Sequence, residues 1–170
     1  MKAEELRKLQ APLKEKYRED PNAATVTLRA AGHISEGVTC KVETGHAIVA
    51  AGLHPATGGD GTQLCSGDML LEALVACAGV TLRAVSTALE IPLRDAKVTA
   101  EGDLDFRGAL AVAKDAPVGL RDIRLSFELD TDAPKKTLDK LVELTERYCV
   151  VLQTLQQSPQ ITVTSKLTVN

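Results

Sequence analysis

Two cysteines, Cys77 and Cys149, are the residues of this chain best suited to chemistry. Each falls in a run with helical spacing and a buried, apolar face. Two thiols on two long helices meet if those helices pack together, however far apart they stand in the chain. A pair of that kind does redox work. One thiolate attacks a peroxide oxygen and becomes a sulfenic acid, and the second condenses with it to a disulfide that an external thiol reduces. The competing reading is packing, because free cysteine is among the most buried residue types and fills small apolar gaps.

The chemistry needs a cation as well. A thiol with an ordinary pKa near 8.5 is only about three per cent thiolate at pH 7. Cys77 lies about three turns inside its helix, beyond reach of the N-terminal dipole, and burial raises a thiol pKa further. A nucleophilic Cys77 therefore calls for a positive neighbour from elsewhere in the fold. Arg29, His33 and Arg147 are the candidates, whereas Arg83, near the opposite helix face, is a poor one. Asp68, nine residues before Cys77 on the same helix, is the candidate to orient such a cation. Glu72 is a lone charge in an apolar stretch, and pairing with a basic group at the helix start is its expected role. Of the histidines, His54 beside Pro55 is the best placed to line a pocket. Cys40 and Cys65 read as fillers, with Cys65, near the helix mouth, the one with room for a supplementary redox role.

The element carrying Cys77 organises the rest. Residues 66–89 read as one helix, roughly 36 Å long, with Ser66 as N-cap and Asp68 in the first turn. No side chain between Glu72 and Arg83 is charged, so most of the circumference must be buried. A membrane span needs about 20 apolar residues, and this uncharged stretch is shorter, so no membrane role is expected. Residues 2–18 read as a polar helix with Leu6, Leu9, Leu13 and Tyr17 on one stripe, an arm laid on the body and closed by Pro21-Asn22. Residues 24–30, 38–43 and 46–51 alternate as strands, with Thr44-Gly45 as the turn between the last two. The glycine-rich residues 55–65 lack the Gly-Lys-Ser/Thr ending of a phosphate-binding loop and read as a connection. Strands at 97–104 and 120–129 flank a loop at 105–119. A helix then starts after Asp130-Thr131-Asp132-Ala133-Pro134 and buries Leu138, Leu141, Val142, Thr145, Tyr148, Cys149 and Leu152. Residues 160–169 alternate as a closing strand.

The order α-βββ-α-ββ-α-β predicts an α+β fold with a mostly antiparallel sheet, a long buried central helix and a second long helix. Residues 1–22 form a helical arm on this reading, and residues 23–170 a single domain. The far side of the central helix needs a cover. A symmetric partner helix is the simplest one, and Ala73, Ala76, Gly79 and Ala84 would let two such helices cross closely.

Composition narrows the function. Lys and Arg number 20 against 23 Asp and Glu, a net charge of −3, which is not the basic stripe of a nucleic-acid binder. Two Phe, two Tyr and no Trp leave no platform for stacking bases. A core of small aliphatic side chains hints at a large apolar subunit interface. The opening MKAEELRKLQ has no apolar secretory core, so the expected location is cytoplasmic, with cysteines kept reduced. No C-x-x-C pair occurs and His33, His46 and His54 lack metal-ligand spacing, so no metal site is expected.

Three segments resemble the OsmC/Ohr family of thiol-dependent peroxidases. Gly58-Gly59-Asp60-Gly61-Thr62 is similar to its glycine-rich approach to the helix. Ser66-Gly67-Asp68-Met69-Leu70-Leu71-Glu72-Ala73-Leu74-Val75-Ala76-Cys77 resembles its central helix, usually Ser-Pro-x-Glu-Leu-Leu-Leu-Ala-Ala-x-x-Cys. Glu146-Arg147-Tyr148-Cys149 with Gln153-Thr154-Leu155 resembles its second cysteine motif. The resemblance implies an intertwined homodimer with two active sites at the subunit interface. It implies Cys77 as peroxidatic and Cys149 as resolving cysteine, organic hydroperoxides as substrates, and a dithiol such as dihydrolipoamide as reductant. It implies no haem, flavin or metal cofactor. The chain departs from the pattern in four places: Gly67 stands for the usual Pro, Asp68 for Glu, and Val150 for the Pro that often follows the second Cys. That last change lets the helix run on unbroken. No activating Arg is evident after the first strand, where Arg29 and His33 lie nearby. The alternatives on the same fold are a non-catalytic dimer that holds a small apolar ligand and a purely structural dimer.

Overall fold

The computed structural model describes residues 2–25, 27, 31–35, 39–43 and 48–167. Along the chain run α1 (Ala3–Glu19), a 3-10 turn (Pro21–Ala24), β1 (Ala31–Ser35), β2 (Thr39–Glu43), β3 (Ile48–Gly52) and a second 3-10 turn (Pro55–Thr57). Then follow α2 (Ser66–Ala88), β4 (Asp95–Asp103), α3 (Phe106–Ala109), β5 (Arg121–Asp130), α4 (Lys135–Tyr148) and α5 (Val150–Gln156). The architecture is α+β, as the element order predicts. The strands form two sheets, a β1-β2-β3 meander and a β4-β5 pair, each antiparallel throughout.

The second sheet and the helices build the core. Along β5 the alternation puts Ile123, Leu125, Phe127 and Leu129 toward the helices and Arg124, Ser126, Glu128 and Asp130 toward solvent. The solvent face carries cross-strand ion pairs, Lys97 with Glu128 and Arg124 with Glu101 and Asp103. Against the inner face lies α2, whose Leu74, Ala78, Leu82 and Ser86 recur every four residues and are buried. Two clusters result. Leu82 packs with Ile91, Leu93 and Leu141, and Leu74 and Ala78 pack with Cys149.

The approach to α2 uses glycine where no other residue fits. Gly58 has φ +92° at the end of the second 3-10 turn, and a Cβ on Gly59 would collide with the Leu53 carbonyl. The connection is thus a folded turn. It is tied to β3 by a parallel bridge between Ala51 and Leu64.

Several expectations change. The first described strand is Ala31–Ser35; of the strand expected at 24–30, Ala24 belongs to a 3-10 turn that Pro21 starts and residues 25 and 27 are irregular, while residues 26 and 28–30, like the turn at Thr44-Gly45, lie outside the described residues. The helix N-cap is Cys65, one residue before Ser66. The loop at 105–119 contains α3, which the Asp105 carboxylate caps through the Arg107 N–H. In α1, Leu6 reaches α2, but Leu9, Leu13 and Tyr17 stay exposed, Leu9 by 60%. The arm meets the body mainly at its N-terminal half, where Arg7 pairs with Glu90. Tyr148 is exposed instead of buried, since α4 buries only Leu141 and Thr145 fully before Cys149. No described residue of 160–167 pairs as a strand, and Ile161, Val163 and Leu167 are bare, Val163 by 88%. By length and composition α2 is long and apolar enough to cross a membrane, which counting only the Glu72–Arg83 interval understates. What covers its inner face in this fold is protein.

Candidate active site

Cys77 sits midway along α2, partly buried, on the shoulder of the inner face. Cys149 sits where the second long helix breaks. Its backbone is extended, φ −73° and ψ 103°, so it ends α4 and begins α5 as a single non-helical residue. This overturns the expectation of an unbroken helix through Val150. Cys149 itself still follows Leu141 and Thr145 on the buried face of α4, its N–H bonded to the Thr145 carbonyl at 2.9 Å, and it lies wholly inward, 0% exposed, against Leu74 and Ala78 of α2. Cys77 packs against the same apolar cluster as Cys149.

The break also frees backbone donors. In a continuous helix the N–H groups of Val150 and Val151 would bond to the carbonyls four residues back. Here neither bonds to a backbone carbonyl, and both act to lower the Cys77 pKa. Burial works to raise the Cys77 pKa. The Val151 N–H, the Cys149 thiol and the Val150 N–H outweigh it, and the net direction is down. The Thr81 hydroxyl lies near the same sulfur, but its one proton goes to the Cys77 carbonyl at 2.8 Å. Cys149 moves the other way. Burial pushes it up, and so do its hydrogen bond to Cys77 and the charge Cys77 carries once ionised, against the opposing Leu152 N–H. The pair is therefore asymmetric: Cys77 ionises first and Cys149 keeps its proton. Val98, Ala100, Ile123, Leu125, Phe127, Val151, Leu152 and Leu155 supply the apolar surroundings.

The other sequence candidates fall in different places. Asp68 and Glu72 are exposed and line a groove of about 480 Å³ with Leu71, Val75, Ala76 and Ala100. They follow one another at four-residue spacing toward Ala76, the neighbour of Cys77. Arg147 is turned to solvent, its guanidinium 5.5 Å from the Tyr148 ring centre. Arg83 donates to the Leu93 carbonyl at 3.2 Å. His33 lies in β1, Cys40 lies in β2, and Arg29 lies outside the described residues. His54 lines no thiol site. It stacks on Phe106 with ring centres 4.8 Å apart, and its Nδ1 accepts the Ala56 N–H at 3.0 Å. Cys65 caps α2, with its sulfur over Gly67. Among the described residues no group of His, Cys, Asp and Glu could hold a metal ion.

Sequence reasoning looked for a side-chain cation and missed the Val150 and Val151 amides. No glycine or proline marks the break that exposes them, so the local sequence carries no signal for it.

Comparison with known proteins comes to the same place. The family model described as OsmC-like protein matches residues 59–164, more than half of the chain. The fold is similar to an OsmC-like protein from Mycoplasma pneumoniae, with a TM-score of 0.66 at 16% identity over 78% of this chain and 89% of that one. It is similar to an organic hydroperoxide resistance protein from Elizabethkingia anophelis, with a TM-score of 0.64 at 14% identity over 79% and 91%. It is also similar to an organic hydroperoxide resistance protein from Legionella pneumophila, with a TM-score of 0.57 at 18% identity over 79% and 92%. No curated protein matches the sequence.

Proposed function

The chain belongs to the OsmC/Ohr family, which includes organic hydroperoxide resistance proteins, and from that premise we propose that it is a thiol-dependent peroxidase acting on organic hydroperoxides. One observation carries the reading: two thiols far apart in sequence pack into one apolar cluster, Cys77 against Leu74, Ala78 and Cys149.

The chemistry follows from the asymmetry of that pair. The Cys77 thiolate attacks one peroxide oxygen, the O–O bond breaks, and the alkoxide leaves as alcohol after taking a proton. Cys77 is then a sulfenic acid. The Cys149 sulfur attacks the Cys77 sulfur, and hydroxide leaves as water with the Cys149 proton. The product is a Cys77–Cys149 disulfide. A dithiol of the dihydrolipoamide kind reduces it by two thiol exchanges, returning both thiols and leaving as its own cyclic disulfide. The peroxide thus gains two electrons and the dithiol loses two.

The working unit in this reading is a homodimer. Leu70, Ala73, Ala76 and Val80 form an exposed apolar strip on the outer side of α2, which a second copy of α2 would cover. Asp68 and Glu72 would line the approach to the site, and Arg29 and His33 are the sequence candidates for its cation. Cys65, Cys77 and Cys149, free thiols among the described residues, fit the reducing cytoplasm, where we place the protein.

The test is thiol titration of the reduced protein against cumene hydroperoxide, with the oxidised residues mapped by mass spectrometry. The expected result is loss of Cys77 and Cys149 together as a disulfide. Cys77→Ser abolishes peroxide consumption, and Cys149→Ser allows one turnover and stalls as a sulfenic acid. If the wild-type protein consumes no peroxide and keeps every thiol, the peroxidase reading is wrong and a non-catalytic ligand-binding or structural dimer replaces it.

A further inference from the structure

The break at Cys149 needs a cause. Nothing in the local backbone forbids a continuous helix there, because Tyr148, Cys149, Val150 and Val151 are neither glycine nor proline. A continuous helix would form the bond from the Val150 N–H to the Glu146 carbonyl. In the structure that carbonyl is taken by another donor. The Gln153 side chain reaches back across the break, and its Nε2 donates to the Glu146 oxygen at 3.0 Å. The same amide group meets Gln156 Oε1 at 3.3 Å, and the Gln153 backbone N–H bonds to the Cys149 carbonyl at 2.9 Å, closing the first turn of α5. Gln153 therefore holds both sides of the junction.

We infer that Gln153 is a positioning residue for the cysteine pair: by occupying the Glu146 carbonyl it keeps the α4–α5 junction open, so that α5 packs Val151, Leu152 and Leu155 around Cys77 and Cys149. The inference rests on the peroxidase reading for its biological meaning, but its physical content is independent of peroxide. When Gln153 is lost, the Glu146 carbonyl and the Val150 N–H are free to rejoin. Annealing that turn moves ψ of Cys149 from 103° to the helical range and redirects α5, which withdraws Val150 and Val151 from the cysteine pair. Gln153 touches neither thiol and acts only through the junction.

The experiment compares wild type with Gln153→Ala and with the near-isosteric Gln153→Glu, which lacks the donor. Two readouts are taken: the pH dependence of Cys77 alkylation by iodoacetamide, and the rate of Cys77–Cys149 disulfide formation driven by diamide. In the second, the two thiols give up two electrons and two protons, and diamide becomes the hydrazine. Both variants are expected to shift the Cys77 midpoint upward and to close the disulfide roughly tenfold more slowly. Thermal unfolding should change little, because the side chain is not part of the core. A third variant separates positioning from general damage. Adding Val150→Pro to Gln153→Ala removes the N–H that would reclaim Glu146 and restricts Cys149 to extended backbone. It should restore the disulfide rate toward wild type but not the Cys77 midpoint, since one amide donor is gone. If Gln153→Ala stays within twofold of wild type in rate and leaves the midpoint unmoved, Gln153 does not position the pair. If wild type consumes no hydroperoxide yet Gln153→Ala still slows diamide closure, the peroxidase reading falls and the positioning role stands.

Discussion

The two sides of α2 have nearly the same composition and opposite fates. The inner side presents Leu74, Ala78, Leu82 and Ser86 to β4, β5, α4 and α5 and is fully buried. The outer side presents Leu70, Ala73, Ala76 and Val80 to solvent, Val80 by 73%. Only its far end meets α1, where Leu6 faces Val80 and Ala84 across a groove of about 450 Å³. An apolar side chain gains about as much from burial on one side as on the other. One chain therefore supplies half of the cover that its own central helix calls for. Cys77 lies on the boundary between the halves. Its sulfur faces inward to Cys149, while its neighbour Ala76 lines the outer groove beside Asp68 and Glu72. That placement suits the role proposed for Cys77, which meets both a resolving thiol and an incoming substrate.

Breaking the inner side should have the largest effect. Leu74→Ala or Leu82→Ala leaves a cavity at a fully packed position and should cost about 2–5 kcal/mol. Urea unfolding reads this directly, and a loss below about 1 kcal/mol would mean that this side is not the core. The outer side should respond in another coin. Val80→Arg should leave the fold of each chain intact, within about 0.5 kcal/mol in the dissociated state. It should weaken self-association by on the order of a hundredfold, roughly 3 kcal/mol, seen by sedimentation equilibrium. If Val80→Arg associates as wild type does, the second copy sits elsewhere.

The boundary itself can be sharpened by pH. Because the pKa of Cys77 is lowered and that of Cys149 raised, iodoacetamide should modify Cys77 at lower pH than Cys149, with the ordinary thiol value between them. Thiolate is the reactive form, so each rate rises with pH through that residue's own midpoint. Cys149→Ala removes a donor to Cys77 and should move its midpoint up. Equal midpoints in the wild type would mean that the asymmetry between the thiols is absent in solution.

These two sides also explain what the sequence could and could not tell. The meeting of Cys77 and Cys149 was legible, because each lies on a helical apolar face and α2 must pack on the second long helix. Their environment was not. The Val150 and Val151 amides became donors through a break held by Gln153 and by tertiary packing, and neither leaves a mark in local propensity. Residues 160–167 show the limit from the other direction. Ile161, Thr162, Val163 and Thr164 alternate as a strand should, yet among the described residues nothing pairs with them. Alternation reports that a segment has a face to bury and is silent on what buries it. Of the strand expected at 24–30, only its start is corrected, because the 3-10 turn opened by Pro21 and Asn22 takes in Ala24.

The smallest effect separates burial from hydrogen bonding on the inner side. Two buried hydroxyls face it, on Ser86 and Thr145, and each is satisfied within its own helix. Ser86 Oγ donates to the Arg83 carbonyl at 3.0 Å, and Thr145 Oγ1 to the Leu141 carbonyl at 2.8 Å. Neither crosses to another element, so neither ties α2 to α4. Thr145→Val keeps the shape of the side chain and removes only an extra bond to a carbonyl that the helix already uses. It should change stability by less than about 1 kcal/mol, while Thr145→Ala, which also opens space beside Leu141 and Cys149, should cost more. A loss above about 2 kcal/mol for Thr145→Val would show that the hydroxyl bonds across the helix interface, and the inner side would then be held by polar contacts as well as by packing.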